Sequence, residues 1–219
     1  MKTTHTKPDT TAAALATVSL DPPTPPVNPD RLLWIDVETT GLDRDESKLL
    51  EIGMVVTGMD GVQDGDEFVS IVRPTSLDLF DISPAALRMH LNNGLWDMVA
   101  SSAHQSGVGY PVIATSLNEW IQDEASKYTL HPAGTNVDFD LDVLTNQFQE
   151  WLGPNWLRAH LSHRKLDLTA FRMADIALDE DPYQDHAGTH RVQDCIKRDR
   201  SDYAAYLDLL RIAKEGYIA

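Results

Sequence analysis

Cysteine is almost missing from this chain. Cys195 is the single thiol in 219 residues, so no disulfide can close within it and a disulfide-stapled scaffold is excluded. Basic side chains are also scarce. Eighteen Lys and Arg face 34 Asp and Glu, a formal charge of −16, and a surface that acidic repels polyanions unless particular sites reverse the sign locally. Histone-like coating of nucleic acid is therefore excluded. No apolar run approaches the roughly 18 residues of a membrane span. A cleaved signal peptide is not expected either, because threonines thread the Ala12–Ala16 stretch and prolines follow at once. One thiol and no expected membrane segment fit a cytoplasmic protein.

What remains is enough for a core: 42% of the residues are hydrophobic, at a length that suits one domain of ordinary size. Residues 1–29 are rich in Thr, Ala and Pro without a hydrophobic period, so ordering them costs chain entropy with little burial in return. They read as a disordered tail, and residues 30–219 as a single folded domain.

The short run Leu32, Leu33, Trp34, Ile35, Val37 suits a buried strand. Segments 50–57 and 67–72 are β-rich and bridged by Asp/Gly turns, which predicts an antiparallel three-stranded start. The Asp60-Gly61 and Asp64-Gly65-Asp66 pairs lack the alternating ligands and closing glutamate of a calcium loop, so they read as turns. Helical spacing follows Ser83-Pro84, runs over 115–127, and resumes after Asp140. Short strands near 132–136 and 165–168 alternate with helices over 169–177 and 190–213. The expected class is α/β, a mixed sheet flanked by helices.

Two acids stand out. Asp36 and Glu38 are two residues apart at the end of an apolar strand, so their side chains leave the same face. Carboxylates emerging together from a buried strand repel and lose hydration unless a cation or a watery cleft receives them. Asp140 follows a later strand, and Asp194 lies four residues after His190. Together these acids offer hard oxygen ligands, which favour Mg²⁺ or Mn²⁺. Trp96, Trp120, Trp151 and Trp156 sit at helical spacing among apolar neighbours and read as packing residues rather than base-stacking ones. Lys197, Arg198 and Arg200 read as a solvated helix face.

The run Leu33-Trp34-Ile35-Asp36-Val37-Glu38-Thr39-Thr40-Gly41-Leu42 resembles the first motif of the DEDDh 3′→5′ exonucleases and is closest to oligoribonuclease. Asn136 to Leu144 resembles the second motif, 165–169 the Leu-Asp-Val-Ser/Thr stretch, and 188–191 the Gly-Thr-His lead into the last motif. The resemblance implies a ribonuclease H-like fold with two divalent ions, Mg²⁺ or Mn²⁺, held by Asp36, Glu38, Asp140 and Asp194. His190 is then the general base, a task suited to imidazole. It also implies substrate contacts at Thr39, Leu42, Asn136, His163, Arg164 and Thr169, short single-stranded RNA as substrate, nucleoside 5′-monophosphates as products, and a homodimer in which Arg164 reaches the neighbouring site. A single-stranded DNA exonuclease of proofreading type and an inactivated fold kept as a binding module are the competing expectations.

The chain departs from the pattern at its last acid. The family places that acid five residues after the histidine, where this chain has Cys195, a soft donor ill matched to Mg²⁺. The expectation is that the loop before the last helix absorbs the offset and brings Asp194 into place. Other departures are His163 in place of tyrosine, Asn136 in place of serine, and no tryptophan near Ala85. They make strict preference for dinucleotides doubtful.

Overall fold

Apolar residues alternate along the first strand, β1 (Asp30–Thr39), and that alternation divides the molecule in two. Leu33, Ile35 and Val37 enter one core cluster, while Leu32 and Trp34 enter another on the opposite face. The computed structural model describes residues 28–101, 109–183 and 189–218. The expected tail over 1–29 lies outside the described residues except for its last two positions.

β1 pairs antiparallel with β2 (Leu49–Thr57), which pairs antiparallel with β3 (Gln63–Ile71). The β2–β3 turn closes as expected from its Asp and Gly residues. Val62 N donates to Asp60 Oδ1 at 3.0 Å, and Gly61 takes the positive φ of +79° that the turn requires. On its other edge β1 runs parallel to β4 (Thr129–Gly134), which pairs in parallel with the short β5 (Leu166–Asp167). The strand order is β3-β2-β1-β4-β5.

Six helices are described: α1 (Pro84–Asn92), α2 (Leu95–Ser101), α3 (Tyr110–Lys127), α4 (Val137–Leu152), α5 (Thr169–Ala177) and α6 (Val192–Ile218). One face of the sheet packs on α3 and α4 through Ile113, Leu117, Ile121, Leu144 and Phe148. The other packs on α5 and α6 through Leu168, Ile196 and Tyr203. Each such side chain, fully buried, contributes roughly 1.5–3 kcal/mol. Trp120 and Trp156 belong to the first core, and Trp34 Nε1 donates to Thr57 Oγ1 at 2.9 Å. Arg200 Nε donates to the Gly61 carbonyl at 3.0 Å, Arg198 pairs with Asp199, and Lys197 is exposed.

Several elements differ from the sequence reading: α3 begins at Tyr110, β4 spans Thr129–Gly134 and α6 runs on to Ile218. Helix α2 was not anticipated. Helix α4 begins at Val137, which puts Asp140 inside its first turn. Helix α6 begins at Val192 and leaves His190 in the loop before it.

Candidate active site

The parallel pairing of β1 with β4 reaches Trp34↔Ala133, after which β4 gives way to α4 while β1 continues. A crevice therefore opens at the carboxyl end of β1, the usual place for a ligand in a sheet with parallel strands. Here Val37 N, with no β4 partner, donates to Asp140 Oδ1 at 3.0 Å. The first turn of α4 is thereby tied to the strand, and Asp140 is set beside Asp36.

Asp36 and Glu38 continue the face that Leu32 and Trp34 begin, so they look toward α6. Gly53, the β2 partner of Asp36, makes that approach possible: a Cβ there would stand 2.8 Å from Val192 Cβ. Against this bare patch α6 settles with Val192, Cys195, Ile196, Asp199 and Tyr203 buried, a stripe at helical spacing. One ligand atom each from Asp36, Glu38 and Cys195 lie within 4.8 Å of one another.

Asp194 does not join them. It is exposed and accepts from Thr189 Oγ1. The expected absorption of the one-residue offset fails for a physical reason. Consecutive helix residues differ by 100° in azimuth, so turning Asp194 inward would expel the whole buried stripe of α6. Asp199 faces inward but is already engaged. Arg172 Nη2 and Arg198 Nη2 donate to its Oδ1 at 3.0 and 3.4 Å, and Thr135 Oγ1 to its Oδ2 at 2.8 Å.

The acids that do converge are electrostatically unsettled. Burial, then the neighbouring Asp199, holds the Asp36 carboxyl well above the ordinary carboxylate range, and burial followed by Asp36 does the same to Asp140. Burial, then Asp36 and Glu51, pushes Glu38 up to about 9. Burial raises the Cys195 thiol too. Asp36 Oδ2 is buried without a hydrogen-bond partner, its carboxylate being met otherwise by the Cys195 thiol. Glu38 is only 6% exposed, with Asp36 and Glu51 repelling its charge. A divalent cation would supply what these oxygens lack, so the donor set fits one.

Three residues the sequence reading passed over hold the site together. Glu51 stands opposite Glu38 in the β1–β2 register, beside a bulge at Glu38/Thr39. Arg191 Nε and Nη2 grip its carboxylate at 2.9 and 2.5 Å, and Val192 N donates to it at 3.3 Å, so Glu51 anchors the start of α6. His90, fully buried in α1, donates from Nε2 to the Thr39 carbonyl at 2.9 Å and ties α1 to the end of β1. A charge inside the apolar run 49–57 was the one available signal for Glu51.

His190 is exposed in a left-handed conformation (φ +50°), with its carbonyl held by Asn93 Nδ2 at 2.7 Å. Its ring has no partner among the described residues. Of the expected substrate residues, Thr39 and the 88%-exposed Leu42 border a mostly apolar cavity of about 270 Å³ that Glu38, Met89 and Phe139 also line. Ala85 lies on that wall, near the position where the resemblance implies a tryptophan. Asn136 N donates at 3.1 Å to both Asp167 Oδ1 and Thr169 Oγ1, so Asn136 and Thr169 knit the ends of β4 and β5. His163 and Arg164 are exposed, and Arg164 lines a cavity with Asp30 and His131 at the opposite end of β1. Asp30 and Asp36 are about 20 Å apart along an extended strand. The structure does not bring Arg164 to the acids of its own chain.

A family model described as Exonuclease (RNase T) matches residues 33–105, which include Asp36, Glu38 and the cavity wall apart from Phe139. The fold is similar to that of E. coli exonuclease I bound to single-stranded DNA and zinc, with a TM-score of 0.60 at 17% identity. That match covers 80% of this chain and 40% of the other, so the chain spans about two-fifths of that enzyme's length. Fold and family model together define a 3′→5′ exonuclease.

Curated relatives narrow the class. The oligoribonuclease of Xylella fastidiosa is 33% identical over 144 residues, 65% of this chain and 68% of that one. The oligoribonuclease of Aeromonas hydrophila is 23% identical over 185 residues, 82% and 95% of the two chains. The chain belongs to the oligoribonuclease-like family of DEDDh exonucleases.

Proposed function

We propose that this exonuclease releases nucleoside 5′-monophosphates one at a time from the 3′ end of short single-stranded RNA. One observation carries the reading. Glu38, buried beside Asp36, forms part of both the acid cluster and the wall of the 270 Å³ apolar cavity. A terminal base seated against Leu42, Met89 and Phe139 would lay the phosphodiester on its 5′ side, the link to the penultimate nucleotide, beside Asp36 and Glu38. Relatives named oligoribonuclease support short RNA as the substrate.

Asp36, Glu38 and Asp140 are the residues that would hold divalent cations, which when bound activate water and stabilise a leaving oxygen. Asp140, fixed to Val37 N, keeps the α4 side of the crevice in register with β1. Glu51 and Arg191 keep the start of α6 in place. Leu42, projecting into solvent at the cavity rim, would separate the last two bases. His190 is proposed to take the proton of the attacking water, its exposed loop position letting the ring turn toward a bound phosphodiester. Arg164, far from its own acids, suits a phosphate contact in the site of a second copy, so a homodimer belongs to the proposal.

Time-resolved digestion of 5′-labelled RNA and DNA oligomers, two to twenty nucleotides long, tests it. Expected are stepwise 3′ shortening with Mg²⁺ or Mn²⁺, fastest for short RNA, and loss of cleavage in Asp36→Asn. Faster cleavage of DNA at every length would overturn the RNA reading in favour of a single-stranded DNA exonuclease. Exonuclease I, a structural neighbour, has been solved with single-stranded DNA.

A further inference from the structure

The position where the family places its last acid holds Cys195, and three features of the structure make that thiol more than a lost ligand. Its Sγ lies within 4.8 Å of ligand oxygens of both Asp36 and Glu38. Those carboxylates are poorly compensated: Asp36 Oδ2 is buried with no hydrogen-bond partner, and Glu38, 6% exposed, is repelled by Asp36 and Glu51. No acid of α6 competes for the place. Asp194 is turned outward to Thr189, and Asp199 is consumed by Arg172, Arg198 and Thr135.

We propose that Cys195 Sγ is a metal ligand, completing with Asp36 and Glu38 a mixed oxygen–sulfur site that selects thiophilic divalent cations such as Zn²⁺ or Cd²⁺ over Mg²⁺. The inference deepens the proposed nuclease reading by naming the class of cation its site prefers. Zinc binds thiolate sulfur at about 2.3 Å and carboxylate oxygen at about 2.0–2.2 Å in tetrahedral geometry, so two such ligands on one ion stand about 3.5 Å apart. Side-chain rotation of about an ångström closes the site from the 4.8 Å within which the three atoms already lie. Mg²⁺ demands near-octahedral oxygen ligands and gains little from sulfur, whereas the thiolate adds a strong bond to a softer ion. Helix phase makes the choice durable. Val192 and Ile196 are locked against Gly53, and α6 cannot rotate to offer Asp194 instead without exposing them.

The test titrates the full chain, stripped of metal, with Cd²⁺, Zn²⁺, Mn²⁺ and Mg²⁺ separately, following thiolate-to-metal charge-transfer absorption for Cd²⁺ and chelator competition for affinity. Cys195→Ser and Cys195→Asp are run alongside, their folding checked by circular dichroism and thermal unfolding. The wild type should show the ultraviolet Cd²⁺ band saturating with site occupancy. Cys195→Ser should lose the band and about tenfold or more in Zn²⁺ and Cd²⁺ affinity while holding Mg²⁺ as before. Cys195→Asp should reverse the preference toward Mg²⁺. Cd²⁺ binding without the band, an unchanged Cys195→Ser, or no binding of a thiophilic cation would overturn the proposal. The two readings fail separately: a band without RNA hydrolysis sinks the substrate assignment alone, and hydrolysis without a band sinks the thiol ligand alone.

Discussion

Asp36 and Glu38 illustrate what one strand can impose on two side chains. Period-two geometry turns both toward α6, and burial raises the cost of their charge until something positive arrives. Asp36→Asn and Glu38→Gln should therefore abolish divalent-dependent cleavage, by about 10³-fold or more given the cation-holding role proposed for them. In chelator the same variants should melt higher than the wild type at pH 8, because a neutral amide folds without the proton uptake that these raised acids require. Asp194→Ala, by contrast, should change turnover less than about threefold, as befits an exposed side chain outside the cluster. Steady-state kinetics on a labelled dinucleotide checks all three. Leu42→Ala should raise KM about tenfold with kcat little changed, since base contacts of this kind are worth about 1–3 kcal/mol. The Asp36–Glu38 pair was legible in the sequence because neighbours on a strand need no tertiary information to share a face. Glu51 was not, because its importance lies in meeting Arg191, 140 residues away.

At the level of elements, the site is an agreement among β1, β2, α4 and α6 about where each ends and which way it turns. Gly53 on β2 sets the depth at which α6 docks. Gly53→Ala would drive a methyl into Val192 and should cost about 1–3 kcal/mol. Because α6 must shift to accept it, cleavage should fall by more than the lost stability explains, which a urea titration paired with kinetics would separate. Arg172 of α5 is 1% exposed and bonds Asp199, Asp202 and Thr135, stitching α5 to α6 and to the turn before α4. Arg172→Met strands a buried carboxylate and should destabilise by about 3–5 kcal/mol, while adding Asp199→Leu should recover most of that. Periodicity placed five of the six helices approximately. It missed α2, a helix of seven residues, too short for two turns of hydrophobic spacing to show.

For the molecule as a whole, the clustered acids make stability depend on pH in a direction opposite to most proteins. Glu38 titrates near its ordinary value of 4.5 in the unfolded chain and at about 9 in the fold, so between those values the folded state holds a proton that the unfolded chain has released. Stability of the metal-free protein is therefore present below the lower value and is lost as pH rises through the upper one. In chelator, Tm should fall between about pH 6 and about pH 8.5, by about 2–4 °C for each kcal/mol lost, and Glu38→Gln should flatten the slope. A flat profile in the wild type would show that Glu38 keeps its ordinary value.

No helix among the described residues is long and apolar enough to cross a membrane. The alternation along β1, the antiparallel start and the later strand–helix alternation were written in local patterns of apolar residues, and with them the face on which Asp36 and Glu38 emerge. Which residue of α6 meets those acids was not. A helix shows its neighbours only one stripe at a time, and the stripe was chosen by Val192, Ile196 and Tyr203 packing on distant strands rather than by any preference of Asp194 or Cys195. Tertiary packing thus set the phase of α6, and the phase decided that sulfur, not oxygen, completes the cluster.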